Sequence, residues 1–179
     1  MLNAAGIKGS FYIITNEMKN AVNENRVKNP SFETMDSQEV PSSWTGVQSG
    51  THTALFSYPV PGVSNGKAAR VEITDYRDGD ARWQPSPMTV VNSEAYNFTD
   101  QYISNVPTKV SVVYTLNNGS TQTFDLGTVP ASNVWRIASF TFTPPVNTNS
   151  LVVYHRLIST GVLTTDDYHV DIAQDYMNL

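Results

Sequence analysis

YTLNNGSTQTF, residues Tyr114–Phe124, sets two runs of β-branched and aromatic residues on either side of Asn118-Gly119. Asn-Gly supplies positive φ at both central positions of a two-residue turn at little cost, so this stretch predicts a tight β-hairpin. The same rhythm continues outward on both sides. KAARVEITDY (67–76), YNFTDQYIS (96–104), KVSVVYTL (109–116) and TQTFDLGTV (121–129) are rich in Val, Ile, Thr, Tyr and Phe. So are RIASFTFTP (136–144), SLVVYHRLIS (150–159) and VLTTDDYHVDI (162–172), and clusters of Gly, Pro, Asn and Ser separate them all. Strands at such short spacing, with no helical pattern between them, predict an all-β fold, an antiparallel β-sandwich of the jelly-roll kind.

The first 25 residues break the rhythm. GIKGSFYIITN (6–16) reads as one short apolar strand and NEMKNAVNENR (16–26) as a helical turn or two. The chain therefore divides into a flank over 1–25, a sandwich over 26–172 and a C-terminal flank over 173–179. The opening residues lack the basic start and apolar stretch of a signal peptide, so none is expected within them.

Composition narrows the function. Of 179 residues, 40% are hydrophobic, 11% aromatic and only 15% charged, which is enough apolar material for a core. The net charge is -5 and no Lys/Arg cluster occurs, which argues against a nucleic-acid partner. Without cysteine there is no disulfide, thiolate metal site or cysteine nucleophile. No apolar run approaches the ~20 residues that span a bilayer, so no membrane partner is expected, and the chain is expected to be a monomer.

Catalytic patterns are weak. Glu72 and Asp75 would need to face each other across a cleft to hydrolyse a glycoside, and nothing marks them apart from surface acids. No Gly-x-Ser-x-Gly elbow supports a serine nucleophile. In DYRDGDARW (75–83), Asp75, Asp78 and Asp80 with Gly79 suggest a calcium loop, but the distal Glu is missing and Asp-Gly is a common turn dipeptide; a plain turn is the simpler reading.

Binding chemistry is better represented. Sugars stack their C–H faces on flat aromatic rings and hydrogen-bond through Asn, Gln, Asp and Arg. Trp83 lies between Arg82 and Gln84, after an Asp-Gly turn and before Pro85 and Pro87, a setting that predicts an edge or rim position. Gln84, Tyr76, Tyr102, Tyr114 and Tyr154 are further ligand-binding candidates. Because His155 and Arg156 are adjacent on a strand, they face opposite ways; one is buried or paired and Arg156 is left as a ligand contact.

RVKNPSFETMDSQEVPSSW (26–44) carries the family signal. Asn-Pro-Ser-Phe-Glu, Pro-Ser-Ser-Trp, NGKAARVEI, ARWQPSPMTVVNSEAYNFTDQY, VWRIASFTFTPP and the closing TTDDYHV resemble, in order and spacing, carbohydrate-binding modules of the family 4/9/22-like β-sandwich group. The resemblance implies polysaccharide binding (β-glucan, xylan or chitin-like) outside the cell or on its surface. It also implies that Trp44 and Trp135 are structural core tryptophans. In those modules the Glu after Phe joins an Asp of the closing strand and backbone carbonyls around a structural calcium. Here that implies Glu33 with Asp166 or Asp167, two carboxylates clipping first and last strands together, as a hard cation favours.

The flanks resemble something different. LNAAGIKGSFYIITNEM is similar to a strand region of NodB-type polysaccharide deacetylases, with Ser10 where Thr is usual, and DYMNL resembles the segment before that family's metal-binding histidines. On that resemblance the chain is a binding module set within a deacetylase. It would itself be catalytically empty, since His52, His155 and His169 form no His-x-x-x-His pair. A structural or adhesion sandwich without sugar specificity, such as a phage-fibre or surface-layer domain, is the rival reading.

Overall fold

The computed structural model describes residues 24–91 and 94–173. The resemblance of both flanks to a deacetylase falls almost wholly outside these residues. The described chain forms eleven strands: β1 (Trp44–Ser49), β2 (Thr53–Pro61), β3 (Lys67–Thr74), β4 (Asp80–Pro85), β5 (Met88–Thr89), β6 (Tyr96–Ser104), β7 (Thr108–Leu116), β8 (Thr121–Val129), β9 (Ser132–Phe142), β10 (Thr148–Arg156) and β11 (Gly161–Ile172).

They make two antiparallel layers. One sheet runs β2-β3-β11-β6-β9 and the other β5-β10-β7-β8. The β1-β4 ribbon extends the second layer, because Ala81 of β4 and Leu157 just after β10 exchange backbone hydrogen bonds of 3.0 and 2.9 Å. The fold is the expected antiparallel β-sandwich.

Alternation builds the core. Along β6, Tyr96, Phe98, Asp100, Tyr102 and Ser104 are buried while the residues between them are only half covered, the period-2 pattern of a strand with one face on a core. Phe32 and Trp44 meet in this core. Their rings lie 4.4 Å apart, and Tyr168 packs on both at 6.0 and 4.8 Å. Asn29 holds the loop around them: its amide donates to the carbonyls of Thr34 and Ser42, and its own carbonyl accepts the Trp44 indole N–H at 2.9 Å.

Asp100 and His155 sit in the core and are paired there, as burial of polar groups requires. Asp100 and His155 are 0% and 1% exposed. Nδ1 of His155 lies 2.7 Å from the Asp100 carboxylate and donates to it; in the neutral ring Nε2 then accepts from the Thr108 hydroxyl at 2.6 Å. This buried bridge ties β10 to β6 across the sandwich.

The hairpin forms where expected but with a different turn. Gly119 N donates to Leu116 O at 2.9 Å, Leu116 N donates to Ser120 O, and of the two turn residues only Gly119 has positive φ, at 83°. Asn117 and Asn118 thus make the turn proper and Gly119 takes the left-handed position after it, a three-residue loop instead of a two-residue one.

Candidate functional site

The outward side of the layer β1-β4-β10-β7-β8 carries a continuous row of polar side chains. Its polarity follows from strand alternation. On β4, Ala81 and Trp83 point into the core, so Asp80, Arg82 and Gln84 point out. On β10, Leu151, Val153 and His155 face inward, leaving Tyr154 and Arg156 outside. On β7 and β8 the outward set includes Lys109, Ser111 and Asp125.

These residues grip one another. Ser49 Oγ donates to Asp80 at 2.7 Å. Arg82 pairs with Asp80 on one side and donates to Gln84 Oε1 at 3.0 and 3.1 Å on the other. Held by these partners, the Arg82 guanidinium carbon lies over the Tyr154 ring, 4.1 Å from its centre. Arg156 reaches Asp125 at 2.6 Å and Asp80 at 3.8 Å, and Lys109 meets Asp125 at 2.8 Å. Partial burial raises the Asp125 carboxyl, but hydrogen bonds from Lys109 and Ser111 and the charges of Arg156 and Lys109 outweigh it and hold the group below its usual range. Burial also raises the Tyr154 phenol.

Such a row offers guanidinium, ammonium, carboxylate, amide and hydroxyl groups at fixed positions, with no large apolar side chain among them. That equipment suits hydrogen bonding to a polyhydroxylated ligand.

Three ligand-binding candidates from the sequence, Gln84, Tyr154 and Arg156, converge on this face. The others do not. Trp83 is a correction: it is 6% exposed, its indole donates to Arg70 O at 3.0 Å, and it meets Phe56 edge-on at 5.5 Å. The rim expectation fails because β4 is flanked by β1 on one side and bridged to β10 on the other. Pro85 only ends the strand. Tyr102 and Tyr114 are corrections of the same kind. Tyr102 is buried, donating to Pro130 O at 2.9 Å and packing edge-on against His155. Tyr114 is buried against Phe124 and Phe142, and burial pushes its phenol up to about 12. Tyr76 is half-buried at one end of the sandwich, stacked with His52 and donating to Gly79 O at 3.1 Å. Trp135, expected in the core, is only half-buried on edge strand β9, whereas Trp44 is in the core as expected.

The sequence reading passed over Asp80, Arg82, Lys109 and Asp125 as members of one face. Arg82 was visible only as a neighbour of Trp83; the register that brings β4, β10 and β8 side by side is long-range.

The expected metal residues lie at the far side of the other sheet. Glu33 Oε1 accepts the Lys67 backbone N–H at 2.8 Å and Asp166 Oδ2 accepts that of Val63 at 2.8 Å. The two carboxylates therefore address the two ends of one short connection between β2 and β3, Asp166 at Val63 and Glu33 at Lys67. Asp167 instead accepts from Gln101 at 2.9 Å. Burial, with the Asp167 and Glu33 charges adding to it, raises the Asp166 carboxyl to about 6 despite two backbone donors. Among the described residues no three His, Cys, Asp or Glu side chains converge as a metal cage. The pair Glu33–Asp166 still fits a hard cation in chemistry, with backbone carbonyls as the remaining donors; Lys67 Nζ, 2.8 Å from the Glu33 carbonyl, occupies one of these oxygens.

The DYRDGDARW stretch is a turn, as read. Asp78 accepts the Thr51 N–H at 2.8 Å and Asp80 belongs to the outward row.

No family model matches the sequence, and no curated protein matches it. Solved structures do match in fold. The enzymatically active domain of tailspike protein 4 from bacteriophage CBA120 superposes with TM-score 0.64 at 15% identity, over 83% of this chain and 21% of that one. The chain thus spans about a fifth of the tailspike structure. A CBM4 carbohydrate-binding module superposes with TM-score 0.57 at 20% identity, over 82% of this chain and 99% of the module. The family 11 carbohydrate-binding module of a cellulosomal cellulase from Clostridium thermocellum gives 0.58 at 11% identity, over 87% and 98%. At these identities the likeness establishes the shared sandwich.

Proposed function

We propose that this chain is a non-catalytic polysaccharide-binding module whose binding surface is the outward face of β1-β4-β10-β7-β8. The observation that carries the reading is the interlocked row Asp80–Arg82–Tyr154–Arg156–Asp125, which holds donors and acceptors in place before any ligand arrives. Preorganisation of this kind lowers the entropic cost of binding. Carbohydrate-binding modules superpose over nearly their whole length, which supports the same reading. The partner would be a β-glucan, xylan or chitin-like polymer, met by a monomer outside the cell or at its surface. Among the described residues no helix is long and apolar enough to cross a membrane.

Glu33 and Asp166 would hold one structural calcium at the Val63–Asn65 turn. The half-compensated charge of Asp166 supports this reading, and the ion would tie the N-terminal loop to β11. The host, on the resemblance of the two flanks, would be a metal-dependent polysaccharide deacetylase. The module would keep that enzyme on its polymer by raising local concentration.

Affinity electrophoresis tests the function. Migration through native gels containing soluble xylan, β-glucan or glycol-chitosan should be retarded in at least one of them. Unchanged mobility in every gel would favour a structural or adhesion sandwich without sugar specificity. The tailspike likeness and the exposed apolar residues at edge strands β8 and β9, Phe124, Val134 and Ile137, speak for that second reading.

A further inference from the structure

We propose that the polymer recognised by this face is acidic, a glycan bearing carboxylates such as uronic acids, and that Lys109 and Arg156 receive those carboxylates. The inference rests on the sugar-binding reading of the same face and names its substrate class.

Charge placement carries it. Lys109 and Arg156 are direct cross-strand partners on β7 and β10. Like charges at paired positions destabilise a sheet unless something compensates them. Here one carboxylate, Asp125, serves both, at 2.8 and 2.6 Å. Along the whole row three cations, Arg82, Lys109 and Arg156, face two carboxylates, Asp80 and Asp125. The face is therefore positive on a chain whose net charge is -5.

One further feature points the same way. The row lacks an open aromatic platform: Tyr154, 3% exposed, lies beneath Arg82. Without a ring to stack on, affinity has to come from charge and hydrogen bonds. Polar recognition of this kind, centred on Lys109–Arg156, favours a ligand that brings its own negative charge.

Isothermal titration of the full chain tests the inference. The probes are polygalacturonate, alginate, glucuronoxylan and hyaluronan, each beside the same polymer with its carboxyls reduced to alcohols, plus neutral xylan and β-glucan. At least one acidic polymer should bind about tenfold or more tighter than its reduced form, and added salt should narrow the gap by screening. Lys109→Gln and Arg156→Gln should each weaken the acidic polymer about threefold or more beyond any loss they cause with a neutral glycan. Variants are compared only after circular dichroism shows the wild-type spectrum. Neutral glycans bound as well as acidic ones, or binding indifferent to both substitutions, would overturn the inference and leave the sugar-binding face standing. Failure to bind any glycan, acidic or neutral, would remove that face and this inference together. Equal binding of dextran sulfate would show mere polyanion attraction and also overturn it.

Discussion

Replacing Trp83 by alanine separates a core tryptophan from a binding one. The side chain is buried between the layers, meets Phe56 edge-on at 5.5 Å and donates its indole N–H to Arg70 O at 3.0 Å. Truncation of a buried tryptophan costs about 3–5 kcal/mol in lost contact and residual cavity. Losing the hydrogen bond and stranding the Arg70 carbonyl adds roughly 1 kcal/mol. A sandwich of this size has a total stability of about 5–15 kcal/mol, so the variant should sit near the edge of folding. The more informative variant is Trp83→Phe, which keeps most of the apolar volume and drops the donor; about 1–3 kcal/mol should be lost. Urea denaturation followed by tryptophan emission gives both values, with the slope unchanged if the variants still fold in two states. Glycan affinity per folded molecule should stay at the wild-type level in Trp83→Phe. A Trp83→Ala protein that melts normally but has lost its glycan would refute the assignment, placing the indole on the surface after all.

Asp166 makes stability pH-dependent in an unusual direction. With no cation bound, burial raises its folded carboxyl to about 6 against an ordinary 3.8, so the folded state holds the proton more tightly. The stability this confers is full below about pH 4 and is lost as pH rises through 6, at most about 3 kcal/mol. Urea midpoints in chelator should fall over that range, Asp166→Asn should flatten the fall, and calcium should restore stability at pH 7 more than at pH 5. A midpoint indifferent to calcium at both pH values would remove the ion. Gly79 and Gly119 make a contrast in backbone strain. Both have positive φ, but a Cβ on Gly79 would lie 1.8 Å from the Ser49 carbonyl, whereas one on Gly119 meets nothing within 4 Å. Thermal melts should show Gly119→Ala costing about 1 kcal/mol and Gly79→Ala about 3 kcal/mol or more. Equal losses would contradict the β1–β4 contact.

Local signals account for what the sequence revealed. β6 and β8 match the runs YNFTDQYIS and TQTFDLGTV end to end, because alternating aromatic and β-branched residues bounded by Gly, Pro and Asn need no distant information. The strands before Lys67 were less legible. WTGVQS of β1 and SYPVP of β2 carry Pro, Ser and Gly, residues that weaken strand propensity, and these strands form by pairing with β4 and β3. The face was harder still. Gln84, Tyr154 and Arg156 were singled out one at a time, for their chemistry. That they stand beside Asp80, Arg82 and Asp125 depends on the Ala81–Leu157 bridge and the β7–β8 register, contacts between residues far apart in sequence. Trp83 was misplaced for a related reason. An Asp-Gly turn and two prolines describe the ends of a strand, and they do not say which way its middle points.

The central claim, a glycan-binding face on β1-β4-β10-β7-β8, is met most directly by mapping amide chemical shifts. An isotope-labelled sample would be titrated with an oligosaccharide from whichever polymer retards the protein most. The account predicts shifts along β4, β10, β7 and β8, largest around Arg82, Tyr154 and Arg156, with β2, β3, β11 and β6 unmoved. Shifts concentrated on the outer residues of the β2-β3-β11-β6-β9 sheet, such as Thr99, Gln101 and His169, would contradict it.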